Sequence, residues 1–514
     1  MNKGVVMFGR LFLSLLAGGL LLSGCATNPV TGEREMGLVS ESMELETGNK
    51  QYGPSRQMQG GDFKLDPALG KYVSGVGERI AKVSDRKLPY EFVVINDSTP
   101  NAWALPGGKI AVNRGLLLEL DNEAELAAVL AHEIVHAAAR HGAKGMERGI
   151  LLKGAVLAAG VAARDSDYSQ LAVGAAAVGA NLLNQRHSRG AELEADAYGM
   201  RYMHRAGYDP QAAVGLQETF VRLNKERKSN WLSGLFASHP PSQERVEKNR
   251  EMARELGAGG ELGRARYQQR TAYLHKIKPA YTAYEEGRKA LKEKQTDKAL
   301  RLAEKAIAIE PREALFHGLK GDVLASRKSY RSATRTYDKA IRYDRNFFKH
   351  YLRRGLVRSE LGDKAGARSD LEKSLKLLPT ANAHHALGQI SLNAGDRQGA
   401  IKHFRSASSS GSDVGKASAR ALARIELPRQ PGRYIRASLG VSGGKLVIKI
   451  GNASPVMVKN LRLSLVSPGG KREIRLNRTV ASGKGVNVGT NITVPKGSSL
   501  KGWRVSVIRA AVAE

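Results

Sequence analysis

The sequence predicts a multidomain chain: a mostly helical α+β domain, then an all-α solenoid, then an all-β sandwich. Three observations carry this. A helix-period run from Glu123 to His141 contains His132-Glu133-Ile134-Val135-His136. Glycine and alanine recur at 33 or 34 residues between Gly287 and Ala407. From residue 431 the apolar positions change to period two. At 514 residues the chain is too long for one hydrophobic core.

Taken in order, Lys3 and Arg10 precede an apolar run from Leu11 to Leu22, too short to span a bilayer but suited to a signal peptide over residues 1–24. The run ends Leu22-Ser23-Gly24-Cys25, and Cys25 is the only cysteine, so no disulfide forms within the chain. This stretch resembles the bacterial lipobox, which implies lipidation of Cys25. Ala26 after the cysteine then implies the outer membrane, and several acyl chains give stable anchoring. Residues 25–60 are polar and glycine-containing. They read as a spacer with one short helix near residues 40–50.

Residues 61–265 form the first domain. Asp66 caps a helix with Pro67 in its first turn, running to about Val83, and Glu91–Ile95 is a strand. Two short strands flank Pro106-Gly107-Gly108. An edge strand here would pair with an extended chain, which makes Ala104, Leu105, Gly107 and Gly108 candidate substrate-binding residues. Asn122 and Glu125 form a capping box that opens the helix carrying the two histidines. The Ala/Gly-rich stretch from Gly149 to Leu183 has apolar halves too short to cross a membrane and reads as a packed helical hairpin. Asp209-Pro210 starts a further helix. A loop with Trp231, Leu235 and Phe236 then leads to His239-Pro240-Pro241-Ser242 and Arg245.

His132 and His136 lie one helical turn apart on one face, where two imidazoles bind one zinc ion at about 2.0–2.1 Å each. Glu133 is placed to take a proton from water at that ion. Such a site needs a third protein ligand, and Ser188–Met200 offers carboxylates on a second helix. Glu192 and Glu194 are the rival ligands, and Asp196 is placed to hold a ligand histidine by its other ring nitrogen.

The motif HExxH followed by Glu-x-x-x-Asp resembles the gluzincin family of the HtpX membrane protease and the CAAX prenyl endopeptidases, over about residues 35–260. The resemblance implies a zincin fold with one Zn2+ per chain, held by His132, His136 and Glu192, with Glu133 as general base and acid. Only Glu192 keeps the family spacing to Asp196. Long transmembrane helices are missing, which is similar to the periplasmic branch, that of the β-barrel assembly-enhancing proteases. In that branch a His-Pro loop lies close to the metal and can keep the enzyme latent. His239 and Arg245 match it, as site-proximal candidates.

Residues 279–427 carry the repeat. Gly287, Gly321, Gly355 and Gly388 recur, as do Ala299, Ala333, Ala367 and Ala400; Pro311 and Pro379 close two units. A 34-residue period is that of the tetratricopeptide repeat, here about four copies with a capping helix at 416–425, presenting a concave surface for proteins. Residues 431–514 read as a small immunoglobulin-like sandwich with strands near 445–450, 461–466 and 503–508. Charge is uneven: residues 431–514 hold 15 Lys and Arg against 2 Asp and Glu. An anionic surface is the partner this suggests; the signal peptide excludes nucleic acid.

The expected function is a zinc endopeptidase, lipid-anchored at the outer membrane and facing the periplasm. It would hydrolyse misfolded or stalled envelope proteins, with the repeats contacting outer-membrane assembly machinery. The alternative is an assembly chaperone or scaffold with latent proteolysis.

Overall fold

The structure, a computed structural model, describes residues 25–162, 187–226, 238–257, 259–495 and 499–513. The expected signal peptide, the second half of the Ala/Gly-rich hairpin, and Trp231, Leu235 and Phe236 lie outside the described residues. The chain divides into two compact units between Phe347 and Phe348.

The first unit is built around helix α4, Glu123–Ala138, whose N-cap Asn122 accepts from the Glu125 backbone N–H at 3.0 Å. Glu125 returns a bond to the Asp121 N–H at 2.8 Å, one residue before the cap. Almost every α4 side chain is buried, so α4 is a central helix and not an amphipathic surface one. It ends earlier than the uninterrupted run to His141 suggests: Arg140 takes a left-handed φ of 61°, and a new helix, α5, begins at His141 and runs to Ala162. Against α4 lie α2, Pro67–Ala81, with its Asp66 cap and first-turn proline, and α6, Arg189–Arg205. Helix α6 comes close because residue 199 is glycine; a Cβ there would lie 3.2 Å from the His132 nitrogen. Helices α7, Gln211–Glu226, and α8, Gln243–Leu256, complete this layer. Short α3, Arg114–Leu117, follows the sheet.

The sheet has order β3-β5-β4: β3, Glu91–Ile95, runs parallel to β5, Lys109–Asn113, and β4, Ala102–Leu105, runs antiparallel to it. Gly107 and Gly108 both have positive φ, 79° and 81°, which fixes glycine in that turn. The turn is not open. Gly107, Gly108 and Leu105 are buried, and helix α1, Glu41–Met58, crosses it so closely that a Cβ on Gly48 would meet the Pro106 oxygen at 1.9 Å. Leu105, Gly107 and Gly108 are thus packed beneath α1, while half-buried Ala104 lies on the edge strand β4.

Residues 25–60 are a second departure, since they are not a spacer. Strands β1, Cys25–Thr27, and β2, Arg34–Met36, form a hairpin whose turn residue Asn28 is buried. Helix α1 buries Tyr52, edge-on to Trp103 at 6.1 Å. The polar composition misled because much of it is paired inside: Glu44 is 1% exposed and takes Arg86 and Arg140 on its two oxygens, at 3.0 and 2.6 Å.

The first unit ends in two helix pairs, α9 (Arg264–Lys292) with α10 (Thr296–Ile309) and α11 (Ala314–Ser326) with α12 (Tyr330–Tyr343). Helix α9 passes through Pro279 without a break, so the repeats grow out of the first domain with no linker at that residue. The repeated glycines have a packing cause: a Cβ on Gly321 would lie 2.6 Å from the Tyr337 ring. Arg114, 1% exposed, ties α9 to the sheet. It donates to Asn96 Oδ1 at 2.8 Å and lies 3.2 Å from the Tyr281 ring centre, and Asn96 donates to Glu313 at 3.2 Å.

The second unit continues the repeat with α13 (Phe348–Glu360), α14 (Lys364–Leu377), α15 (Ala381–Asn393) and α16 (Arg397–Ser408), then α17 (Asp413–Glu426). Gly355 faces Leu371 and Gly388 faces Phe404, as Gly321 faces Tyr337. Six strands follow in two three-stranded antiparallel sheets, β10-β7-β6 and β11-β8-β9. They are β6 Ile435–Ser442, β7 Lys445–Asn452, β8 Val458–Ser467, β9 Gly470–Leu476, β10 Gly485–Thr493 and β11 Arg504–Val512. Ile448, Ile450, Leu461, Leu463 and Val507 fill one core with Ala423 and Leu427 at the end of α17. Among the described residues no helix is long and apolar enough to cross a membrane.

Candidate metal centre

Helix α4 presents His132 and His136 one turn apart, with their Nε2 atoms 3.0 Å from each other. Helix α6 brings Glu192 opposite, Oε2 at 3.5 Å from His132 Nε2 and Oε1 at 3.5 Å from His136 Nε2. His239, just before α8, sets Nδ1 at 3.2 Å from His132 Nε2 and 3.1 Å from Glu192 Oε1. Four donor residues thus converge from three parts of the chain.

The spacing fits a metal. Ligands at about 2.0–2.1 Å from a tetrahedral ion are about 3.3–3.4 Å from one another, and these donors lie 3.0–3.5 Å apart. The donor set, imidazole nitrogens and one carboxylate, suits zinc among the divalent metals that imidazole binds. His136 and Glu192 are each 3% exposed and His239 7%, so the site is largely shielded from bulk water.

The Asp196 and Arg245 side chains support it. His132 Nδ1 is 2.9 Å from Asp196 Oδ1, and Arg245 grips both Asp196 oxygens, Nε to Oδ2 at 2.6 Å and Nη2 to Oδ1 at 2.7 Å. Arg245 Nη1 also lies 3.0 Å from Glu192 Oε2 and donates to the Pro240 carbonyl at 3.2 Å, which fastens the His239 segment. Burial opposes charge on Asp196, but Arg245 and His132 outweigh it and hold its carboxyl below the usual range. Burial likewise works against a charged His132; Asp196 and Glu192 overcome it and push the ring up to about 10. His136 goes the other way, held well below its ordinary value by burial and by His187.

Glu133 is 2% exposed, with His239 Nε2 at 3.6 Å from Oε1. Burial pushes its carboxyl up, with His239 and His132 pulling against it. A raised carboxylate of this kind is a better proton acceptor than a solvated one. Beside Glu133 opens an apolar cavity lined by Val129, Met200, Met203, Leu216 and Phe220.

Glu194 does not join the four donors; its Oε1 faces His141 Nε2 at 3.4 Å. His141 and His187 are the residues that sequence reasoning missed. His187 stacks on the His136 ring at 4.0 Å and 22°. His141, five residues beyond His136, is off its helical face and is brought back only by the bend at Arg140.

The family model described as peptidase family M48 matches residues 67–253. The putative β-barrel assembly-enhancing protease of Vibrio cholerae is 34% identical over 197 residues, 37% of this chain and 40% of that one. The metalloprotease YcaL of Escherichia coli is 30% identical over 217 residues, 40% of this chain and 75% of that one. Among solved structures, the Arabidopsis OM64 TPR domain covers 23% of this chain and 98% of its own, at 25% identity and a TM-score of 0.23. The chain spans about half the length of the β-barrel assembly-enhancing proteases it matches, 40% to 54%.

Proposed function

Because the chain belongs to peptidase family M48, we propose that it is a zinc-dependent endopeptidase acting on misfolded or stalled proteins of the bacterial envelope. The observation that carries this is the gathering of one donor atom each from His132, His136, Glu192 and His239 within 4.8 Å of one another. His132, His136 and Glu192 would hold the ion. When bound, zinc would polarise a peptide carbonyl and lower the pKa of a water to about 7, nearer to that of a raised carboxylate. Glu133 takes that proton and returns it to the leaving amine. Strand β4 pairs with β5 on one side only, which leaves an edge for main-chain pairing with an extended substrate, and the cavity beside Glu133 takes an apolar side chain.

The purified chain is expected to hold one zinc, to cleave an unfolded casein, to stop when the metal is stripped by a chelator, and to resume on adding zinc. Cleavage that survives complete stripping, or a chain without zinc or cleavage, sinks the reading.

His239 sets a nitrogen where substrate oxygen or water must come, which supports a latent enzyme. If only a fraction of about 0.1–0.3 is free of this contact, His239→Ala should raise the cleavage rate roughly three- to tenfold. An unchanged or lower rate at equal zinc content removes the plug. The same contact favours a second reading, an assembly scaffold in which the repeats do the work. A Glu133→Gln strain that keeps the wild-type phenotype would select it.

We place the protein at the periplasmic face of the outer membrane, anchored through Cys25; the lipobox-like stretch and the names of the relatives support this. The packing of Asn28 makes that anchor short, so the peptidase unit would sit against the membrane. The strand-rich domain reads as immunoglobulin-like: its orders β10-β7-β6 and β11-β8-β9 correspond to strands E-B-A and F-C-C′. Across its second sheet Arg509, Arg462 and Arg475 stand opposite one another, with Glu473 at 3.5 Å from Arg462. Like charges in register repel, and an anionic surface would relieve them. The tetratricopeptide repeats would hold protein partners, outer-membrane assembly machinery among them.

A further inference from the structure

The two histidines of α4 are braced from behind in different ways. His132 leans on a carboxylate, Asp196, fixed by Arg245. His136 turns Nδ1 to a second imidazole, His141 Nδ1, at 2.7 Å. His141 is 3% exposed and begins α5 directly after Arg140. Its other nitrogen, Nε2, lies 3.4 Å from Glu194 Oε1. Asn28 of the β1–β2 hairpin donates from Nδ2 to that same oxygen at 3.2 Å, and Lys144 of α5 pairs with Glu35 of the hairpin at 2.6 Å.

One order of protons satisfies this row when a metal is bound. A ligand His136 offers the lone pair of Nε2, so its proton sits on Nδ1 and is donated to His141 Nδ1. The His141 proton is then on Nε2, on the side of Glu194, whose Oε1 lies 3.4 Å away as a charge contact rather than a hydrogen bond. The reverse order puts a proton on His136 Nε2, inside the donor set, where no metal can bind. Outer partners of this kind fix the tautomer and orientation of a ligand ring.

We propose that His141 and Glu194 are positioning residues for His136, holding its Nε2 toward the metal, and that Asn28 extends this support to the N-terminal hairpin. This rests on the zinc reading above and deepens it. It also gives Glu194 a role other than the ligand one its place in the sequence offers.

The test uses the full chain. Zinc affinity is measured by competition with a chromophoric chelator, and the visible spectrum of the Co2+-substituted protein reports ligand geometry. His141→Phe keeps a ring but no nitrogen, and is expected to weaken zinc binding about 10–100-fold and to shift the cobalt bands. Glu194→Ala should fall in the same direction, with Glu194→Gln, which keeps an acceptor, recovering part of the loss; Asn28→Ala should have the smallest effect. Should His141→Phe not fold, the half-buried Glu194 pair still decides. Wild-type affinity and an unchanged cobalt spectrum in both His141→Phe and Glu194→Ala overturn this proposal alone. A wild-type chain that binds neither metal overturns the zinc reading and this one with it.

Discussion

Glu133→Gln is expected to lower kcat for peptide cleavage by about 10²–10⁴-fold while the protein keeps its zinc and its fold. The two side chains are nearly isosteric, and Glu133 sits 2% exposed in a packed helix, so the amide fits the same space. The Glu133 carboxylate contact given by the structure is a long one, His239 Nε2 at 3.6 Å, and does not hold the site together. What the amide cannot do is accept a proton. A group that acts only in the chemical step should therefore show its loss in kcat, with KM little moved. Zinc content measured on the same sample separates this from loss of the metal. A variant that retains more than about a tenth of wild-type kcat removes Glu133 from the role of base, because general-base assistance is worth at least 10²-fold.

The parts of this molecule that were legible in the sequence are those set by local rules. The Asn122 cap, the Asp66-Pro67 start and the strand at residues 91–95 obey propensities that act over a few residues. The repeat was legible because Gly321 and Gly388 must each clear a ring on the next helix, a demand that recurs with the unit. His132 and His136 were legible from helical spacing; the family resemblance favours Glu192, while helical spacing does not choose between Glu192 and Glu194. They are two residues apart on one helix, and only the crossing of α6 over α4 at Gly199 decides which one meets the histidines. What depends on the chain folding back was not legible. Asn28 looks like a spacer residue until the hairpin lays it on Glu194, and Arg140 looks like the middle of a helix until its positive φ turns His141 under His136. That α1 lies over the turn of Leu105, Gly107 and Gly108 is another such feature.

Replacing Arg245 by Met should destabilise the peptidase part by about 3–5 kcal/mol, the usual cost of leaving a buried charge without its partner. Arg245 is 4% exposed and serves two buried carboxylates at once, both oxygens of Asp196 and Oε2 of Glu192. Methionine fills much of the volume, so the loss is electrostatic more than steric. At roughly 2–4 °C per kcal/mol for a domain of this size, the melting temperature of that part should fall by roughly 6–20 °C. The fall should be larger in metal-free protein than in protein saturated with zinc. A bound cation returns to Glu192 the positive partner that Arg245 supplied, and a ligand that binds only the folded state adds its own stabilisation. Asp196 gains nothing directly from the ion, so zinc should restore only part of the loss. Arg245→Lys keeps a charge but not the fork that spans both Asp196 oxygens, and should fall between the two. Melting curves of the three proteins with and without zinc give the comparison. If Arg245→Met melts within a degree or two of wild type in metal-free form, the two carboxylates are not charged together, and the account of how this site is held would have to be rebuilt around a protonated Asp196 or Glu192.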